Sequence, residues 1–152
     1  MTILKGRKNM DTIKIKGYCS LKDGRNKDFI ERTKELLELR SFPCLLILIS
    51  VYLDILTKEK YGDSSRGSFG LYFKENFPSF CNGVISQLDF YDYFRTGILT
   101  DFQITGGCCI AENSEMNGAT CALTYNEEKN KEYKTLNIEL LAVAFIDHME
   151  NL

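Results

Sequence analysis

The sequence predicts a mostly α fold, an antiparallel four- to five-helix bundle with a small β-hairpin before the last helix. Three observations carry this. Residues 43–56, PCLLILISVYLDIL, form the most apolar run of the chain, with apolar side chains on nearly every face of a helix drawn through them. That is the pattern of a buried helix. The segments on either side keep helical periods with a polar face. Beyond Thr105 the period changes, and Gly106-Gly107 opens a region of short strand-like runs.

The 152 residues are 44% hydrophobic and 26% charged, with two prolines, which fits one domain with a sizeable core. Residues 1–25 read as an arm, polar and basic in patches, and 26–152 as the helical domain. The net charge of −2 gives no global signal for nucleic acid or for an anionic membrane. The six cysteines form no C-x-x-C pair and there is one histidine, so zinc spacing is absent and neither metal nor cofactor is expected. Positive charge near the amino terminus is not followed by an apolar run, so no secretory signal is expected. The core run is too short to cross a membrane and Asp54 interrupts it, so no membrane partner is expected. Free thiols in a cytoplasmic protein are the expectation. A Cys109–Cys121 disulfide stays open should their strands pair.

In the arm, Thr12-Ile-Lys-Ile-Lys16 alternates like an edge strand or a loose extension, and Lys22-Asp-Gly-Arg25 reads as a turn. Lys14, Lys16, Lys22 and Arg25 make a modest basic patch, read as solvated surface. Asn26 should cap a first amphipathic helix, 27–39, which packs on the core helix through a short connection. The core helix should begin at Pro43 with Ser41 as cap and end near Tyr61 at Gly62. Its polar residues Ser50, Asp54 and Thr57 share one stripe. A third helix, 68–76, carries Phe69, Tyr72 and Phe73 for packing, and Pro78 stops it. A fourth, 84–101, holds Gly97, whose cost inside a helix points to close approach of another backbone. Cys108–Ala111 and 119–125 read as two strands of a hairpin, with Asn117-Gly118 as turn material. Residues 126–132 are charged and read as solvated. The last helix, 136–149, should pack through Leu136, Leu140, Val143, Ala144 and Ile146, with Asn137 near its start.

Residues 90–107, FYDYFRTGILTDFQITGG, are where chemistry would reside. The stretch resembles the signature of HEPN-type helical proteins, in which the last bundle helix carries an arginine, four residues and a histidine, often written around R-C-G-L-L-H. Arg95, Gly97, Ile98 and Leu99 match, and Thr105, Gly106 and Gly107 match a Thr-Gly-Gly-like continuation. Upstream, an apolar helix with an internal acid and a short helix ending Tyr72-Phe73-x-x-x-Phe77-Pro78 follow the same order. The resemblance covers roughly 27–152 and implies a homodimer in a prokaryotic defence or toxin–antitoxin setting. In active members the arginine and histidine of two protomers meet at a cleft and cut RNA. Here Thr100 stands at the histidine's place.

Histidine moves protons near neutral pH and arginine steadies phosphate charge, whereas threonine has no pKa for such work. Asp101 would be the alternative base, but it lies about 100° further round the helix. His148 sits in the last helix, matches no motif position and is expected at the surface. A carboxylate within an apolar helix is expensive unless paired, so a structural Asp54–Arg95 pair outranks a phosphate contact. Tyr91, Tyr93 and Phe94 read as core or interface aromatics, and Tyr91 joins Arg95 and Asp54 as a candidate binding group. Three functions follow in order: a non-catalytic domain that binds RNA or a protein partner; an interaction or inhibitor protein without nucleic acid; and a metal-independent endoribonuclease rearranged around Arg95, Thr100 and Asp101.

Overall fold

The structure, a computed structural model, describes residues 11–17 and 22–152. It is mostly helical with a small mixed sheet of three strands. The basic turn before the first helix forms as expected, with Gly24 left-handed at φ 71° and Arg25 N–H bonded to the Lys22 carbonyl. Part of the 1–25 arm lies outside the described residues. Within 11–17 there is no strand, and Ile13 and Ile15 are exposed.

Helix α1 is Arg25–Glu38 and α2 is Phe42–Tyr61. Arg25 at the start of α1 bonds Glu59 near the end of α2, and the two helices join through residues 39–41, so they run antiparallel. Asn26 does not cap α1. Gly24 holds the cap position, and the Asn26 side chain instead accepts a hydrogen bond from the Tyr52 hydroxyl. Arg25 is likewise drawn out of the basic patch, because Glu59 and Tyr52 neutralise and orient it. Ser41 does precede α2, but its side chain makes no capping bond. Leu45, Leu46, Ile49, Tyr52 and Leu53 form the centre of the core, and Gly62, left-handed at φ 84°, ends the helix.

Helix α3, Arg66–Asn76, is capped by the Ser65 hydroxyl on Ser68 N–H and gives Phe69, Tyr72 and Phe73 to the core. A 3-10 turn, Pro78–Phe80, follows. One continuous helical rod spans 87–101. It starts as α4, Gln87–Asp89, passes through a π-helical segment, Phe90–Arg95, and ends as α5, Thr96–Asp101. The rod starts three residues later than periodicity implied, because Ser86 and Asp89 form a reciprocal capping box there. Phe90 and Phe94 point into the core, and Phe90 stacks on Phe73 at 4.0 Å.

Gly97 has the role its position predicted. A Cβ there would stand 2.2 Å from the Gln103 carbonyl oxygen, because the chain folds back so that Gln103 N–H bonds the Gly97 carbonyl.

The strands depart most from expectation. β1, Cys108–Ala111, and β2, Cys121–Asn126, do not form a hairpin with each other. Both pair with β3, Lys131–Asn137, which lies between them, parallel to β1 and antiparallel to β2. The charged stretch read as solvated is therefore the β2–β3 turn and the start of the central strand. A short helix α6, Asn113–Met116, also occupies what read as loop. Cys109 pairs with Thr135 and Cys121 with Leu136, so the two thiols sit across the middle strand on opposite faces, and a disulfide between them is out of reach. Cys44, Cys81, Cys108, Cys109 and Cys121 are all free.

Helix α7 is Ile138–Glu150, capped by Asn137 Oδ1 on Leu140 N–H. Because β3 continues through Asn137, the helix starts later and presents a different stripe. Ile138, Leu141, Ala142, Phe145 and Met149 are buried, while Val143 is exposed and Leu136 packs from the strand. Both stripes are apolar, so periodicity alone did not separate them.

Replacing Gly97 with alanine should lower stability by about 3 kcal/mol, since the contact is with backbone that has nowhere to move. Gly67→Ala, where an added methyl meets nothing within 4 Å, should raise it by about 0.5 kcal/mol. Urea melts of the two variants check the contrast.

Candidate functional site

The core helix supplies Asp54 and the π-helical segment supplies Arg95. A π turn carries one extra residue per ring, with Thr96 N–H reaching back to the Tyr91 carbonyl. The segment thereby sends Phe90 and Phe94 inward and Arg95 toward α2.

Arg95 meets Asp54 in a two-point pair, Nε to Oδ1 at 2.9 Å and Nη2 to Oδ2 at 2.7 Å. Ser64 Oγ donates to the same Oδ1 at 2.7 Å, and Arg95 Nη1 reaches Thr96 Oγ1 at 3.3 Å. The guanidinium carbon lies 4.6 Å from the Tyr91 ring centre and 5.6 Å from that of Phe69. The side chains of Arg95 and Asp54 are 19% and 23% exposed, so the pair is sheltered but not sealed. A planar guanidinium held by a carboxylate along one edge and by aromatic faces is a rigid brace.

A second two-point pair lies on the same helical rod. Arg66 at the start of α3 donates from Nε and Nη2 to the two oxygens of Asp92 at 2.9 and 2.8 Å. The arginine holds the Asp92 carboxyl below its ordinary range. One signal for this pair was legible beforehand, an acidic residue three positions before Arg95 on the aromatic-rich helix.

The remaining predicted residues stay apart from this cluster. Thr100 is exposed and its hydroxyl donates to the Thr96 carbonyl at 2.6 Å, one turn back in its own helix. Asp101 is exposed at the end of α5, where Phe102 turns left-handed at φ 53°. The structure thus brings Asp54, Arg95 and Tyr91 together and leaves Thr100 and Asp101 outside.

His148 is not the surface residue expected. It is half-buried on α7, its Nε2 lies 2.6 Å from the Tyr72 hydroxyl, and the rings of Tyr72 and Phe77 meet it edge-on at 5.7 and 5.3 Å. Loss of solvent pushes its pKa below the ordinary histidine value, and burial pushes the Tyr72 phenol up to about 12. This is a packed polar contact between α3 and α7. None of its members belongs to the Arg95 cluster.

A cavity of about 490 Å³ lies against the sheet and includes Ile104, Cys109, Glu115, Thr124, Tyr133 and Thr135 in its wall. Thr135 Oγ1 bridges Cys109 Sγ at 3.2 Å and Thr124 Oγ1 at 2.6 Å, a polar row across all three strands. Burial raises the thiol pKa values of Cys108 and Cys121 to about 11 and about 12, which keeps both protonated and unreactive. Among the described residues no cluster of histidine, cysteine and carboxylate side chains is arranged to hold a metal ion. No helix of the described residues is long and apolar enough to cross a membrane.

Comparison with models of known families, with curated proteins and with solved structures finds no match.

His148 provides a test of the packing. With its folded pKa depressed, the unfolded chain takes up the proton more readily. Stability should hold above the ordinary value of 6.5, fall as pH drops below it, and level off once the folded pKa is passed. Urea unfolding between pH 8 and pH 5 should show this fall, and His148→Phe should remove most of it.

Proposed function

We propose that this chain is a non-catalytic, HEPN-like binding domain whose partner is a protein. In this reading α1, α2, α3, the 87–101 rod and α7 make an antiparallel bundle, and the domain works in the cytoplasm in a defence or toxin–antitoxin setting. The observation that carries the reading is the commitment of Arg95. Its Nε–Nη2 edge is taken by Asp54 and an Nη1 hydrogen by Thr96. The arginine that would grip a phosphate in an active relative is spent on holding two helices together.

Two further facts point the same way. No imidazole lies in the cluster, because His148 is engaged with Tyr72, and Thr100 is bonded into its own helix. Each arginine among the described residues, at 25, 32, 40, 66 and 95, is paired with a carboxylate, so none of these guanidiniums stands free for a two-point phosphate contact. Exposed apolar side chains flank the pair along the chain. Val51 lies one turn before Asp54, Leu99 one turn after Arg95, and Phe102 follows, all three exposed. Apolar and aromatic groups beside a fixed arginine suit a protein contact.

The competing reading, RNA binding, is the outcome to test against. Titration of a fluorescent single-stranded RNA with the full chain at low and at physiological salt should give no saturable, salt-sensitive binding and no cleavage. Retention of a partner from native extract should survive nuclease treatment and be lost in Phe102→Glu, a change at an exposed side chain that leaves folding intact. Saturable RNA binding that weakens steeply with salt and is lost in Arg95→Ala would replace the protein reading with the RNA one.

A further inference from the structure

We propose that the open edge of β2 receives the 12–16 arm of a second copy of this chain as a fourth strand. The inference is independent of the likeness behind the proposed function.

The edge is defined by the ladder. Thr120 accepts from Asn137 N–H, whereas the Cys121 carbonyl accepts from Asn82 Nδ2 on the other side. Backbone groups alternate along an antiparallel strand, so Ala122, Thr124 and Asn126 turn toward β3 while Leu123 and Tyr125 turn away. Among the described residues nothing pairs with the outward backbone groups of Leu123 and Tyr125. Their side chains share one face of the sheet and are 57% and 59% exposed. An unpaired edge that also shows apolar side chains is a template for another strand.

The arm has the complementary pattern. Thr12-Ile-Lys-Ile-Lys16 alternates apolar and basic residues, joins no strand of the sheet, and exposes Ile13 and Ile15 by 67% and 80%. Five extended residues span about 17 Å, the length of the free edge from Ala122 to Asn126. Setting Ile13 and Ile15 beside Leu123 and Tyr125 buries apolar groups from both partners. It puts Lys14 and Lys16 on the opposite face, near the acidic Glu127 and Glu128 that follow the strand.

The position of α1 decides for a second copy over the chain's own arm. The far end of α1 lies by the sheet, where Arg40 pairs with Glu112 directly after β1. The arm enters at the other end, where Arg25 meets Glu59, about 21 Å away along the helix. The strand order β1-β3-β2 puts the open edge on the side of the sheet remote from that contact. The chain's own arm would have to double back along α1 and cross the sheet, and the described arm residues join no strand of their own sheet. Reciprocal exchange closes a twofold dimer.

Sedimentation velocity of the full chain tests this, together with hydrogen exchange of the Leu123 and Tyr125 amides. The expected result is a dimer whose fraction rises with concentration, with both amides slowed in the dimer. Both effects should vanish in Ile13→Asp/Ile15→Asp and in Leu123→Asp, with circular dichroism melts unchanged because all three side chains are exposed. Mixing the two variants should restore a weaker dimer, since one then supplies an intact edge and the other an intact arm. A monomer at every concentration overturns the proposal. So does amide protection that persists in the monomer, which would put the chain's own arm on the edge, and so does a dimer indifferent to these substitutions.

Discussion

A carboxylate placed in the most apolar helix of a chain has to be answered, and in this protein Arg95 answers it. Asp54 cannot be turned fully to water without moving α2, whose neighbouring residues fill the core. The two-point contact, the Ser64 bond and the aromatic faces of Tyr91 and Phe69 together fix α2, the loop before α3 and the 87–101 rod relative to one another. The π-helical segment is the local price of this arrangement. Its wider turn lets one stretch of six residues send two phenylalanines inward and an arginine sideways. Gly97 then permits the chain to fold back against the rod, which brings Ile104 and β1 to the sheet.

The same interaction sets the limits on chemistry. Guanidinium edges are finite, and one engaged by a carboxylate and a threonine has lost most of its capacity for a phosphate. Two other candidate acid–base groups are committed as well. His148 supports the α3–α7 contact through Tyr72, and Asp92 is neutralised by Arg66. Exposed apolar side chains stand on the two elements that supply the pair and just after them, at Val51, Leu99 and Phe102, and on the β2 edge, at Leu123 and Tyr125.

The longer helices were legible in the sequence because each carries a clear period, a Gly or Pro boundary, or both, whereas the four-residue α6 is too short to show a period and read as loop. Gly62 and Gly97 could be assigned roles from position alone, and the Asp54–Arg95 pair followed from the cost of an uncompensated buried acid. Strand β3 was not legible. Its first residues, Lys131, Glu132 and Lys134, are charged and exposed, and its buried end, Leu136 and Asn137, reads as the opening of the next helix. Missing it misassigned the partner of β1 and the starting residue of α7, and with that the face α7 buries. His148 was misread for a related reason, since the aromatic residues that shelter it come from α3 and the chain just after it, far away in sequence.

The central claim is that Arg95 serves the fold through Asp54. A double-mutant cycle with Asp54→Ala, Arg95→Ala and both together, read by urea unfolding, measures that coupling directly. The account predicts a coupling energy of about 2 kcal/mol, with the double variant far less damaged than the two single losses would sum to. Additive losses with no coupling would show that the two side chains act separately, and would return the arginine to the search for a ligand.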